Sequence, residues 1–208
     1  MRKLTPILFI ALSVACTAKK DASQTDTTAS STTTTTGTET AISSTETAVA
    51  PEVNPPGDIP DTQAFIKYTN ASGGYQLEVP EGWARAETGA NVTFVNKFDG
   101  VSVAVTPATA APTAASARAN EAKLIQAQGR AVTITNVSEA NVPGGKAVVI
   151  KYTSNSEPNS VTNKRVRLED VAYVFYKNGK EAVLTVWAPQ GADNVDQWNR
   201  MANSFRWL

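Results

Sequence analysis

Histidine is absent from this chain, and cysteine occurs once, as Cys16. Without histidine, the usual imidazole general base and the commonest transition-metal ligand are gone. With a single cysteine there is no intrachain disulfide and no thiolate metal site inside a folded domain. Enzyme motifs are missing as well. There is no Gly-x-Ser-x-Gly elbow and no Ser-x-x-Lys run, and Gly144-Gly145 after Pro143 lacks the Lys-Ser/Thr and helix of a phosphate loop. Neither charge sign is in excess, since 19 Lys+Arg balance 19 Asp+Glu. No basic cluster of the size that draws in a polyanion is present, which excludes nucleic acid as a partner.

Large apolar side chains are almost lacking from Thr17 to about Ala64, whereas Phe65–Leu208 holds nearly all the aromatics. The long C-terminal part, about 144 residues, is enough to bury roughly two thirds of the surface its unfolded chain exposes, so one core suffices. Three parts are therefore expected: a leader over 1–15, a tether over 16–64 and one domain over 65–208.

Arg2 and Lys3 precede an apolar run from Leu4 to Val14. That run has the length of a signal-peptide core and falls short of the ~20 residues of a membrane span. Leu12-Ser13-Val14-Ala15-Cys16 resembles the lipobox of bacterial lipoproteins, with Ser13 where an aliphatic residue is usual. The resemblance implies cleavage before Cys16, lipid on its thiol and palmitate incorporation. Multiple acylation would hold the protein stably on a membrane. The other reading is an ordinary secretory signal cut near Ala15 or Ala18, with Cys16 incidental. Thr17 does not resemble the Asp that retains many lipoproteins in the inner membrane, so the expected location is the cell envelope: outer membrane, periplasmic face or cell surface.

The tether is dominated by Thr, Ser, Ala and acids, with Thr32–Thr36 unbroken and Pro51, Pro55, Pro56 and Pro60 near its end. Such a segment does not bury enough apolar surface to offset its chain entropy and is expected to be disordered.

In the domain, Ile66–Thr69 and Tyr75–Val79 read as strands around a Gly73-Gly74 turn. Val92–Phe98 and Val101–Thr106 read as a hairpin turning at Asp99-Gly100, and Thr113–Gln128 as an Ala-rich helix stopped by Gly129. Strands follow at Val132–Val137 and Lys146–Thr153. Val171–Tyr176 and Glu181–Trp187 flank Asn178-Gly179, a two-residue hairpin turn that sets Phe175 opposite Ala182. Counting outward, Val171, Tyr173, Phe175, Ala182, Leu184 and Val186 share one face, and Ala172, Val174 and Val183 the other. Both faces are apolar, so the sheet needs a cover on each side. A closing helix with Asp193 as N-cap and a stripe of Val195, Trp198, Ala202 and Phe205 supplies one. The expected fold is α+β, an antiparallel sheet sandwiched between helices as α-β-α layers.

Gly74-Tyr75-Gln76-Leu77-Glu78-Val79-Pro80-Glu81-Gly82-Trp83, the strand Val101–Val105 before the Ala-rich helix, and Met201-Ala202-Asn203-Ser204-Phe205 occur in the order and spacing of a known family. Together they resemble the PsbP-like family, which includes the extrinsic photosystem II subunit and many bacterial lipoproteins. The resemblance implies an antiparallel sheet between helices and, for most bacterial members, a non-enzymatic binding or accessory role. The metal binding of the photosystem subunit involves His, and with none here that activity does not carry over.

Among candidate chemistry, adjacent Glu169 and Asp170 point to opposite faces of a strand and make no acid/base dyad. Lys164, Arg165 and Arg167 are candidates for contact with an anionic ligand or a partner, with Arg165 and Arg167 on one face; the alternative is a charged sheet edge. Trp83, Trp187 and Trp207 are candidates either for a ligand pocket or for the core. The function expected is that of a membrane-anchored lipoprotein with a binding domain for an envelope protein or small ligand, with no cofactor, no metal and no enzymatic activity. The alternatives are a hydrolase or transferase using Ser and Asp/Lys, and a purely structural envelope spacer.

Overall fold

The structure is a computed structural model that describes residues 46–208. The leader, Cys16 and the Thr-rich part of the tether lie outside the described residues.

A seven-stranded antiparallel sheet forms the body, in the order β3-β4-β5-β9-β8-β7-β6. Its strands are β3 (Ala84–Thr88), β4 (Asn91–Asn96), β5 (Asp99–Pro107), β6 (Arg130–Val142), β7 (Gly145–Asn155), β8 (Arg167–Lys177) and β9 (Lys180–Pro189). A second sheet, in the order β1-β2-β10, comprises β1 (Phe65–Asn70), β2 (Tyr75–Pro80) and β10 (Arg206–Trp207). The helices are α1 (Ala114–Ala119), α2 (Glu121–Gln128) and α3 (Val195–Ser204).

The β8–β9 hairpin has the expected register, with Phe175 opposite Ala182 and Tyr173 opposite Leu184. Asn178 and Gly179 both take positive φ, at 49° and 78°, as a two-residue turn matching strand twist requires. The face assignment holds too. Val171, Tyr173, Phe175, Ala182, Leu184 and Val186 enter the larger core, while Ala172 and Val174 enter a second one against which Val183 packs. Helices α1 and α2 cover the second face. The larger core is closed by α3 together with the small sheet, so that layer is mixed where helix alone was expected.

Several local readings differ. The β4–β5 turn falls at Lys97-Phe98, with Asn96 paired to Asp99 and Lys97 at φ 56°. Gly100 therefore lies inside β5, where a Cβ would run into the indole of Trp187 across on β9. The glycine serves that close approach rather than the turn. Strand β3 has no counterpart among the expected strands because all of its residues are exposed and its only apolar side chains, Ala84 and Ala86, are small. The Ala-rich helix is broken at Asn120, which ends α1 and precedes α2.

At the last helix the residue before the first turn is Asn194, not Asp193. Val195 is 59% exposed, and Met201 takes its place beside buried Trp198, Ala202 and Phe205. The rotation follows from what Asn194 does. Its Oδ1 accepts the Ile59 N–H at 2.6 Å and its Nδ2 donates to the Gly57 carbonyl at 2.7 Å.

Those bonds correct the extent of the tether. Residues 46–64, counted with it from composition, lie along the domain as a strap. Ile59 is buried, and Gln197 Nε2 donates to its carbonyl and to Asp61. The strap begins with Glu46 paired to Arg130 at 3.0 Å and Arg165 at 3.1 Å, and with the Val49 N–H on Asn155 Oδ1. One buried isoleucine and these polar clamps do what composition alone does not predict.

Candidate functional site

Between α2 and the second face of the sheet lies a cleft of about 550 Å³, lined mainly by apolar surface. Strand register builds its floor. Tyr152 on β7 faces Asp170 on β8, which faces Trp187 on β9, which faces Gly100 on β5. Side chains of one cross-strand row share a face, so a carboxyl stands in the row between a tyrosine and a tryptophan, whose indole leans over Gly100. Ser102, Thr185 and Val183 extend the floor, and Leu124, Ile125 and Gln128 of α2 form the roof. Glu121 and Glu181 sit together on the side toward the α1–α2 break, where they also line a neighbouring hollow. A mostly apolar concavity with a few convergent polar groups is the usual form of a small-molecule site.

Asp170 is the most perturbed group on the floor. It is 5% exposed, and burial pushes its carboxyl up to about 7. The hydrogen bond from Ser154 Oγ to Oδ2, 2.8 Å, and the charge of Arg167 only partly oppose that rise. Burial likewise pushes the Tyr152 phenol well above its usual range, so it stays neutral. Glu181 is raised by burial and by the nearby Glu121.

The basic trio does not form an anion patch. Lys164 is exposed, but Arg165 is paired to Glu46 and Arg167 is 6% exposed. Arg167 donates to the Ala131 carbonyl at 2.8 Å, to Asn155 Oδ1 at 3.0 Å and to Thr153 Oγ1. Arg165 also precedes β8, so the two arginines do not share a strand face. The donors of Arg167 are used in holding the ends of β6 and β7, and the charge of Arg165 is paired with Glu46 of the strap.

The tryptophans divide. Trp83 and Trp207 pack against the larger core, whereas Trp187 lines the cleft. Sequence reasoning rejected the Glu169–Asp170 pair correctly, since Glu169 is exposed and Asp170 buried, but it passed over Asp170 alone. The signal was its parity: Asp170 falls in the same alternation as Ala172 and Val174, a carboxyl in an apolar register. Among the described residues, no group of three or more His, Cys, Asp or Glu is placed to hold a metal ion.

An antiparallel α+β fold with a cleft beneath its helical cover defines the class. The PsbP family model matches residues 63–207, and the chain belongs to that family. Among solved structures, it is similar to cyanobacterial PsbP (CyanoP) from Synechocystis, with 18% identity over 74% of this chain and 99% of that one, TM-score 0.46. It is also similar to a crystal structure from Bacteroides thetaiotaomicron, with 9% identity over 68% of this chain and 48% of that one, TM-score 0.43. No curated protein matches the chain.

Proposed function

We propose that the protein is an exported, lipid-anchored binding protein of the cell envelope, whose PsbP domain takes a small, largely apolar ligand in the cleft beneath α2 without transforming it. The observation that carries this reading is the cleft itself: about 550 Å³ of mainly apolar surface around one buried carboxyl. A spacer would have no use for it. Anchoring rests on the lone cysteine at the end of the apolar leader. In cells, Cys16→Ser should abolish labelled palmitate incorporation and release the protein from membranes, and equal retention of both forms would refute the anchor. The purified full chain should take up a neutral solvatochromic dye such as Nile red saturably at one site. Ala104→Trp, which fills the cleft floor from β5, should abolish that uptake, and unchanged uptake would refute the cleft as the site.

One contact favours the hydrolase alternative, the 2.8 Å bond from Ser154 Oγ to Asp170 Oδ2. A serine held by a carboxylate is half of a nucleophilic pair. Ester turnover by the full chain that is lost in Ser154→Ala would establish that reading in place of simple binding.

A further inference from the structure

Resting on the cleft as the binding site, we propose that its ligand carries a protonated amine or quaternary ammonium on an apolar body, and that this cation sits on Asp170 in the cleft that Tyr152 and Trp187 also line. Three independent features of the cleft converge on a cation.

The first is the geometry of the floor. Tyr152 and Trp187 occupy the strands on either side of Asp170 and line the same cavity. Neighbouring strands are about 4.8 Å apart, so the two aromatic side chains spring from points roughly 9 to 10 Å apart, with the carboxyl midway. The Trp187 indole leans over Gly100, away from β8, so the space above Asp170 stays open to an ammonium group, with Tyr152 and Trp187 as walls of the same cavity. Aromatic faces attract cations most strongly where water is excluded, and such walls are a recurrent means of holding alkylammonium groups.

The second is charge. The cleft is lined by four acids, Glu121, Glu157, Asp170 and Glu181, and one base, Arg130. Arg130 is already engaged, its Nε with Glu157 at 2.8 Å and its Nη1 with Glu46 at 3.0 Å. Arg167, next along β8, turns its donors to Ala131, Asn155 and Thr153. An anionic ligand would meet repulsion from every carboxylate and find no uncommitted base among the lining residues.

The third is unmet hydrogen bonding. Glu121 Oε2, which lines the cleft, is buried and without a hydrogen-bond partner among the described residues. At Asp170 the hydrogen bond from Ser154 goes to Oδ2 and leaves Oδ1 for a ligand. Buried acceptors are nearly always satisfied, and a primary ammonium brings three donors. A quaternary ammonium brings the charge alone, a neutral alcohol one donor and no charge, and a carboxylate no donor and a charge of the wrong sign.

Proton linkage supplies a second readout. In the empty cleft, burial pushes Asp170 up to about 7, against the influence of Arg167 and Ser154, with Glu169 on the same strand pushing upward. Tyr152 on β7, Glu157 just after β7, Glu181 on β9, Glu121 on α2 and Arg130 on β6 complete the titratable and charged groups around the cleft. A bound cation favours the ionised carboxylate, so affinity for an amine should rise as pH climbs through that region and that for a neutral analogue should not.

The test is calorimetric titration of the full chain with octylamine, octyltrimethylammonium, octanol and octanoate, which share one apolar body. The two cations should bind about tenfold or more tighter than octanol, with octanoate weakest. Asp170→Asn, which keeps an acceptor for Ser154, should remove that preference and bring the cations to within about threefold of octanol. Trp187→Leu should weaken the cations more than octanol, and thermal unfolding checks that both variants are folded. Equal affinity for octylamine and octanol, or cation binding unmoved by both variants, would overturn the cationic ligand while leaving the cleft as an apolar site. Failure of every probe to saturate would overturn the cleft reading as well.

Discussion

The two faces of the seven-stranded sheet are built from the same strands but closed to different degrees. On one side, 22 buried residues form a core, capped by α3 and the small sheet and threaded by stacked rings. Tyr173, Phe175, Phe205 and Tyr75 follow one another with centroid separations of 6.5, 4.3 and 5.8 Å. On the other side, eight buried residues suffice, and the rest of the space beneath α2 is the cleft. Its roof is only partly engaged, with Leu124 56% exposed. Close packing leaves no room for a ligand, and an open face contributes less to stability, so this sheet separates the two tasks by side.

The largest expected effect comes from breaking the closed face. Phe205 is fully buried and Trp198 is 6% exposed, so truncating either to Ala should cost about 3 to 5 kcal/mol through lost transfer energy and the cavity left behind. Leu124→Ala on the roof of the open face should cost less than about 0.5 to 1 kcal/mol. Urea unfolding midpoints of the three variants measure the contrast. Similar losses for Phe205→Ala and Leu124→Ala would mean that the two faces carry stability alike.

A smaller effect should sharpen the comparison by titrating the open face. The folded-state pKa of Asp170 is raised to about 7 from an ordinary 3.8, so between those values the folded protein holds a proton that the unfolded chain has released. Stability from this group is therefore fully present below the ordinary carboxylate range and is lost as pH rises toward and through about 7. Asp170→Asn should gain on the order of 2 kcal/mol relative to wild type at about pH 8 and almost nothing at about pH 4. Asp99, also raised to about 7 by burial and by Asp58, adds a similar slope that Asp170→Asn leaves in place. Thermal melts across pH decide the matter, and parallel curves for wild type and variant would remove Asp170 as a titrating group.

How legible each face was follows from the kind of signal it carries. The Asn178-Gly179 turn fixes register, and register assigns every residue of β8 and β9 to a side, so the share of the closed face that this hairpin supplies could be read. The open face depends on what covers it, and there the pattern is weak: α2 has no strong apolar stripe, and the break at Asn120 has no glycine or proline to mark it. Asp170 and Trp187 lie 17 positions apart in the sequence and become neighbours only when β8 and β9 are aligned. The strap was hidden for a different reason. Its hold on the domain comes from Asn194, Gln197, Arg130 and Arg165, residues more than 80 positions away from the groups they bind, and composition carries no trace of such contacts.

The smallest effect concerns that strap, which runs from the Asn194 clamp beside α3 to Glu46 at Arg130, a lining residue of the open cleft. Burial raises the Glu46 carboxyl, but hydrogen bonds from Asn155 and Arg130 and the charges of Arg165 and Arg130 outweigh it and leave the pKa below its ordinary value. Stability from this group is therefore present above the ordinary carboxylate range and is lost as pH falls through its lowered value, opposite in sign to Asp170. Because the side chain keeps contact with solvent at 15% exposure, Glu46→Gln should cost only about 1 kcal/mol. Its clearer consequence should be local. With Arg130 released, cleavage by a broad-specificity protease between Thr47 and Val53 should speed up about fivefold, the factor that a loss of about 1 kcal/mol gives to a pre-cleavage opening equilibrium. Asn194→Ala, which removes the clamp at the other end, should instead expose the segment around Ile59. If Glu46→Gln leaves the rate of cleavage over Thr47–Val53 unchanged, the ion pairs at the cleft rim do not hold the strap, and Asn155, Asn194 and Gln197 hold it without them.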